Sequence, residues 1–278
     1  MSKVTLTAHR GYRQKFPENT MLAFREALKL DIDSIEMDVR MTADHKLVVI
    51  HDSALSRTTD KGGNIHELTL DEVRRADAGI KFGEEFKGEK VPTLEEFLAL
   101  MQSREDVKVL LELKDYPEVL GDFAYASCEE ALRLCKEYGV WGKDRLVVIT
   151  FSSAICAWIR KRHRDEEIVI HGFYPKSLMR GSDKEDPYPY LDEVCIFAKE
   201  TTAIDGRTIS PTTPVVDKRI FDNFKYMGIK PCVYFSYNVN EDDYKLAYEH
   251  GAKGFTCDDA YTCGQILDKI GARKLNNK

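Results

Sequence analysis

From end to end the chain alternates between short apolar runs rich in β-branched residues and longer runs whose apolar residues recur at helical spacing. That alternation is the pattern of βα units, in which a helix carries the chain back so that the next strand pairs in parallel. Strands are expected at Val4 to Ala8, Ser34 to Asp38, Val107 to Leu113, Arg145 to Phe151, Ile168 to Phe173, Thr202 to Ile209, Lys230 to Phe235 and Lys253 to Cys257. Helices are expected near Thr20 to Leu30, Thr93 to Gln102, Phe123 to Tyr138, Ser153 to Arg164, Asp217 to Met227, Glu241 to His250 and Tyr261 to Ile270. Eight strands with helices between them predict a (β/α)₈ TIM barrel, a fold of about 250 residues whose functional residues lie at the C-terminal strand ends. The 278 residues fit one such domain.

One apolar run, Leu47 to Ile50, has no place among the eight. A tight turn at Ala43 to Lys46 makes it the return arm of a hairpin above the second strand. With Thr42 opposite Leu47, counting back along both arms puts His51 opposite Asp38. Residues 53–91 are polar and Gly-rich with one short helical patch, Leu70 to Ala76, and read as a small insertion within the domain. Gly181 to Pro189 is a second long polar loop.

The stretch Ile35 to Asp52 gathers most of the chemistry. Alternate strand residues share a face, so Glu36 and Asp38 present two carboxylates side by side. Glu112 and Lys114 share a face at the end of the third strand, and Glu112 there adds a third oxygen donor. Three carboxylates without a Cys or His pair favour a hard ion, Mg²⁺ or Ca²⁺, with water or substrate oxygens completing the shell. Without a cation, three crowded anions raise one another's pKa. The first strand ends in His9-Arg10-Gly11, which sets a proton-transfer group beside a guanidinium suited to phosphate or carboxylate. Pro17-Glu18-Asn19-Thr20 reads as a helix start with Asn19 or Thr20 as N-cap, and Glu18 is placed to brace the mouth. Arg57-Thr58-Thr59 and Gly62-Gly63 form either a lid or turns. Phe235 to Asn238 either walls a polar pocket with aromatic rings or packs half-buried. His45, His66, His163, His171 and His250 are read as structural or solvent-facing.

A formal net charge of −6, with Lys and Arg scattered, argues against a nucleic-acid surface. The basic run Arg160 to Arg164 is read as a solvated helix C-terminus. Seven cysteines without a Cys-x-x-Cys pair fit reduced thiols rather than disulfides or a zinc site. The first residues lack the features of a signal peptide, and no apolar run is long enough to span a bilayer, so a soluble, cytoplasmic protein is expected. No heptad or exposed stripe predicts an oligomer.

His9-Arg10-Gly11, Pro17-Glu18-Asn19-Thr20, Glu36-Met37-Asp38, His51-Asp52, Arg57-Thr58-Thr59, Pro92-Thr93-Leu94-Glu95-Glu96 and Glu112-Leu113-Lys114 together resemble the glycerophosphodiester phosphodiesterase family, within the phospholipase C-like phosphodiesterases. The resemblance is dense over the first 114 residues. It implies a barrel with an insertion after the second strand, a divalent ion held by Glu36, Asp38 and Glu112, and a His9/His51 acid–base pair. It also implies phosphate contacts from Arg10 and Lys114, and a small-molecule phosphodiester as substrate. The reaction it implies is metal-dependent hydrolysis to glycerol 3-phosphate and an alcohol. Tyr237-Asn238-Val239-Asn240 stands where the family has Trp-Thr-Val-Asn, which makes Tyr237 a substrate-contact candidate. His45 replaces the glycine that follows the aspartate in the family's hairpin turn. Rival readings are a phosphodiesterase for another diester, one acting on intact lipids, a Schiff-base enzyme using Lys114, and a barrel that only binds a diester. Ser53 to Lys90 shows no hydrophobic loop of the kind the lipid reading needs, and the family's five central residues are all present.

Overall fold

The computed structural model describes residues 4–164, 166–197, 202–204, 207–209, 217–236 and 239–273. Among these, eight parallel strands close into a ring. They are β1 (Thr5–Ala8), β2 (Ser34–Met41), β4 (Lys108–Leu113), β5 (Leu146–Thr150), β6 (Val169–Tyr174), β7 (Glu193–Ile196), β10 (Lys230–Phe235) and β11 (Gly254–Cys257). Each pairs with its ring neighbours, and β1 closes the barrel between β11 and β2. Between strands lie α1 (Met21–Ala27), α3 (Leu94–Met101), the short α4 (Pro117–Leu120), α5 (Asp122–Glu137), α6 (Ser153–Arg162), α7 (Lys218–Tyr226) and α8 (Glu241–His250), and α9 (Ala260–Lys269) follows the last strand. The expected (β/α)₈ barrel is the fold.

Strand alternation sorts the side chains. On β2, Ile35, Met37 and Val39 are fully buried in the apolar layer, while Glu36 and Asp38 take the opposite face, inside the ring. The starts of α1 and α3 carry side-chain caps. Thr20 Oγ1 accepts from Ala23 N at 3.2 Å, so Thr20 rather than Asn19 is the N-cap of α1. Thr93 and Glu96 form a reciprocal capping box at α3, which gives the Pro92 to Glu96 segment a structural role. Arg74, at the end of α2 (Leu70–Arg74), grips Glu96 with two hydrogen bonds of 2.7 and 2.9 Å and ties the insertion to the barrel.

The hairpin partner of β2 is β3 (Leu47–Val49), antiparallel as expected. Its register differs by one residue: Met41 faces Leu47, and Ile50 N donates to Asp38 O at 3.0 Å. The cause is the turn. Thr42 N donates to Lys46 O at 2.8 Å, leaving a three-residue loop whose last member, His45, has φ +58°. Three-residue hairpin loops place a left-handed residue there, a position that favours Gly. His45 occupies it with its ring 5.7 Å from that of Phe123.

The sixth barrel strand also differs. It is Glu193–Ile196, and Thr202–Ile204 (β8) and Arg207–Ile209 (β9) form a separate antiparallel pair. β-branched residues made 202–209 the stronger strand signal, whereas β7 is four residues long and opens on a charged group. The β6-to-β7 connection, containing the Gly181 to Pro189 loop, carries 3₁₀ turns at Lys176–Leu178 and Tyr188–Tyr190. The basic run is not wholly solvated either, because Arg160 donates to Ile168 O at 2.7 Å and Tyr190 O at 2.9 Å.

Residues 53–91 contain 3₁₀ turns and α2 around their own apolar cluster, which includes Leu55, Ile65 and Val73. Phe82, 46% exposed, packs edge-on to Phe86, which meets Phe16 of the first loop. Within the main core, Phe24 of α1 meets Phe97 of α3 with ring centres 4.7 Å apart. Both are fully buried, so Phe97→Ala is expected to lower the unfolding free energy by roughly 3–5 kcal/mol. Urea denaturation measures it, and an unchanged midpoint would contradict this packing.

Candidate active site

Register alone brings the key groups together at the C-terminal strand ends. Asp38 pairs directly with Glu112 across β2 and β4. Ala8 pairs with Cys257, so the next residues, His9 and Asp258, also meet. Glu36, Asp38 and Glu112 are buried, and one oxygen from each lies within 4.8 Å of the others.

Both histidines carry the same support. His9 Nδ1 is 2.6 Å from Asp258 Oδ1, and His51 Nδ1 is 2.6 Å from Asp52 Oδ1. A carboxylate accepts, so in each dyad the proton sits on Nδ1 and the lone pair on Nε2. His9 Nε2 lies 3.8 Å from Glu36 Oε2. Both imidazoles line the mouth pocket, a cavity of about 120 Å³. Burial, then the Arg10 charge, lowers the His9 pKa to about 4. Burial, then Arg10 and Lys114, lowers that of His51 to about 3. The uncharged imidazole is therefore the resting form of each.

A chain of ion pairs joins the two dyads. Asp52 accepts from Arg57 Nε at 2.6 Å, and Arg57 Nη2 donates to Glu18 Oε1 at 2.6 Å. Glu18 meets Arg13 Nη2 at 3.0 Å, and Arg13 Nη1 lies 3.5 Å from Asp258. Glu18 thus braces the mouth, and Arg57 clamps Asp52. Arg13 and Asp258 do not stand out as site residues in the sequence. Asp258 simply follows the last expected strand, Lys253 to Cys257, and Arg13 follows His9 by four residues in a loop without periodicity. Asp258 further accepts from Ser236 Oγ at 3.1 Å and Tyr234 Oη at 3.2 Å.

Arg10 lies between the carboxylates. Its backbone N donates to Glu36 Oε2 at 2.9 Å, Nη1 to Glu18 Oε1 at 2.8 Å, and Nε is 3.1 Å from Asp38 Oδ2. Asn19 Nδ2 donates to Asp38 Oδ2 at 2.7 Å. Arg10 and Asn19 both have left-handed backbones, with φ +55° and +57°. Such strain in non-Gly residues gathers where side chains must be aimed. Gly11, with φ +78°, brings this loop against α1, where a Cβ would sit 2.7 Å from the Ala23 carbonyl carbon.

Lys114 is ion-paired to Glu112 and lies 3.2 Å from Asp38 Oδ1. Although burial opposes its charge, those two carboxylates raise its pKa. A lysine held protonated in this way is not the nucleophile a Schiff-base enzyme needs.

The cluster fits a divalent cation on two counts. Glu36 Oε1 and Asp38 Oδ1 are buried without a hydrogen bond, since the Lys114 contact to Asp38 is off-axis. Arg10, Arg13, Arg57 and Lys114 also face six carboxylates, those of Glu18, Glu36, Asp38, Asp52, Glu112 and Asp258, which leaves two negative charges over. Two carboxyls carry that excess. Glu36 is pushed well up by burial, then by Asp38 and Glu112, and Glu112 is raised mainly by burial. Asp38, despite burial, is held below its usual range by Arg10 and Lys114.

The opposite wall of the pocket is aromatic. Phe151 and Phe173 stack with centres 3.5 Å apart, and Phe197 and Tyr234 continue the wall. Phe235 faces outward and stacks on Tyr244 at 4.1 Å, so Tyr234 and Ser236 are the pocket residues of that strand. Tyr237 lies outside the described residues. Among the described residues, no helix is long and apolar enough to cross a membrane.

The family model described as "Glycerophosphoryl diester phosphodiesterase family" matches residues 9–262. A glycerophosphodiester phosphodiesterase of Caldanaerobacter subterraneus is 42% identical over 151 residues, 54% of this chain and 59% of that protein. Another, from Bacillus altitudinis, is 38% identical over 230 residues, 80% of this chain and 90% of that protein. Among solved structures, a phosphodiesterase from Oleispira antarctica, in complex with the product sn-glycerol-3-phosphate, superposes with a TM-score of 0.75 at 24% identity, covering 96% of this chain and 97% of that one. A glycerophosphodiester phosphodiesterase from Agrobacterium tumefaciens gives 0.68 at 21% identity, covering 94% and 99%. With a family model spanning most of its length and a relative 38% identical over 80% of it, the chain belongs to the glycerophosphoryl diester phosphodiesterase family.

Proposed function

We propose that this protein hydrolyses glycerophosphodiesters, giving glycerol 3-phosphate and an alcohol, with His9 and His51 as the acid–base pair. The observation that carries the reading is the pair of matched His–Asp dyads beside three buried carboxylates in one pocket. Water adds across a P–O bond of the diester in the net reaction. One imidazole Nε2 takes the nucleophile's proton and passes it to solvent, while the other, protonated from solvent before the step, delivers its Nε2 proton to the leaving alkoxide, a poor leaving group without it. Asp258 and Asp52 fix the tautomers and stabilise each imidazolium as it forms. Arg10 and Lys114 line the pocket and serve as its phosphate contacts, answering the charge that gathers on the phosphoryl oxygens. Tyr237 is retained as a substrate contact.

Glu36, Asp38 and Glu112 would hold a divalent cation, Mg²⁺ or Ca²⁺, because an all-oxygen donor set suits a hard ion. When bound, such an ion supplies Lewis-acid charge neutralisation at a phosphoryl oxygen. We further propose that residues 1–278 act as one catalytic domain with 53–91 as an insertion, in the cytoplasm. Seven buried free thiols support a reducing compartment.

His9→Ala and His51→Ala are each expected to reduce kcat by roughly 10² or more. Steady-state assays on folded variants decide this, and near-normal turnover in both would remove the acid–base assignment. Glycerophosphocholine, glycerophosphoethanolamine, glycerophosphoglycerol and glycerophosphoinositol should include at least one substrate turned over with Mg²⁺ or Ca²⁺. Activity should vanish with a chelator and return on adding the ion. No response to any of the four would point to a different diester or a binding role, whereas full activity after chelation would reject the metal.

A further inference from the structure

The lower half of the barrel interior departs from what such barrels usually contain. Branched apolar side chains in layers normally fill it. Here a cavity of about 250 Å³ lies at the N-terminal strand ends, bordered by Thr5, Thr7, Ser34, His171, Glu193 and Cys232. Exposed Asp106 and Asp144 also line it, so it opens to solvent at that end through a carboxylate-bearing rim.

Three strands deliver a mixed donor set to this cavity. His171 and Glu193 are direct partners across β6 and β7, with His171 Nδ1 3.2 Å from Glu193 Oε2. Cys232 of β10 brings Sγ to 3.9 Å from the same oxygen. A histidine nitrogen, a carboxylate oxygen and the thiol sulfur all lie within 4.8 Å of one another. Donors at ~2.0–2.3 Å from a tetrahedral ion sit roughly 3.3–3.8 Å apart, so only small side-chain adjustments separate this arrangement from a metal shell. Gly254 stands beside Cys232, where a Cβ would meet Sγ at 2.8 Å, so the absent side chain leaves the sulfur its room.

We propose that His171, Glu193 and Cys232 form a second metal site, for a borderline-soft divalent ion such as Zn²⁺, with water from the cavity as fourth ligand. Imidazole and thiolate select that class over Mg²⁺ and Ca²⁺. Glu193 is already prepared as a ligand. Lys230 Nζ holds its other oxygen, Oε1, at 2.9 Å, which orients the carboxylate from behind. Metal uptake transfers the Cys232 thiol proton to solvent, as a thiolate ligand requires. The cavity has ample space for the water, since about 10–15 Å³ accommodates one.

Co²⁺ titration of the metal-depleted full chain tests this separately from the catalytic carboxylates, which offer only oxygen. One equivalent should produce a thiolate-to-cobalt charge-transfer band in the near ultraviolet. The band should disappear in Cys232→Ser and persist in Cys195→Ser, and Cys232→Ser should weaken Zn²⁺ binding by at least about tenfold. Circular dichroism checks that the variants fold, and His171→Gln provides a second variant that should also lose the band. No band in the wild-type protein, or a band retained in folded Cys232→Ser, would overturn the proposal.

Discussion

Buried charge at the barrel mouth is the constraint on which the rest of the site depends. Two unit charges 4 Å apart at an effective dielectric near 20 interact by about 4 kcal/mol. A few unbalanced contacts of that size would match the whole net stability of a domain, roughly 5–15 kcal/mol. The mouth therefore cannot tolerate many unanswered carboxylates. Arg10, Arg13, Arg57 and Lys114 answer four of the six, and the remaining two are relieved by retained protons or a divalent cation. The same ion pairs that offset the charge also position both histidines, so electrostatic balance and the placement of the imidazoles share one network.

That network ties together the loops around it. Glu18 collects Arg10, Arg13 and Arg57, which arise from the first loop and the insertion. Without the insertion, Asp52 would lose the guanidinium that holds it against His51. Arg40 joins the other side, donating to the carbonyls of His51 at 2.9 Å and Lys114 at 2.8 Å. Residues 53–91 consequently belong to the mouth as much as to the surface.

Much of this is legible in the sequence because strand alternation is a strong signal. Alternation by itself puts Glu36 with Asp38, and Glu112 with Lys114, on one face, and seven of the eight barrel strands fall where the apolar runs lie. The four-residue β7 is hidden because a short strand opening on Glu193 is outweighed by the β-branched run that follows it. Asp258 and Arg13 escape because their roles come from closure of the ring, which brings residues 249 positions apart to 2.6 Å in the case of Asp258 and His9. The His171, Glu193 and Cys232 cluster is invisible for the same reason, since cysteine spacing reports only sites built from nearby residues.

His51 shows how a right residue can follow from an incomplete geometric argument. The expected hairpin register puts it opposite Asp38, but the three-residue turn shifts the arm so that Ile50 takes that place. A one-residue slip sends a strand side chain to the other face. Had β3 continued, its Val49 face, which shares the outer apolar layer with Val39, would have carried His51 away from the mouth. The strand instead ends at Val49, and the chain bends at His51 and Asp52. Arg40 holds the His51 carbonyl at this bend, while Asp52 and Arg57 fix the ring. The residue reaches the pocket because the strand stops, and the contacts that stop it are the ones that aim the imidazole.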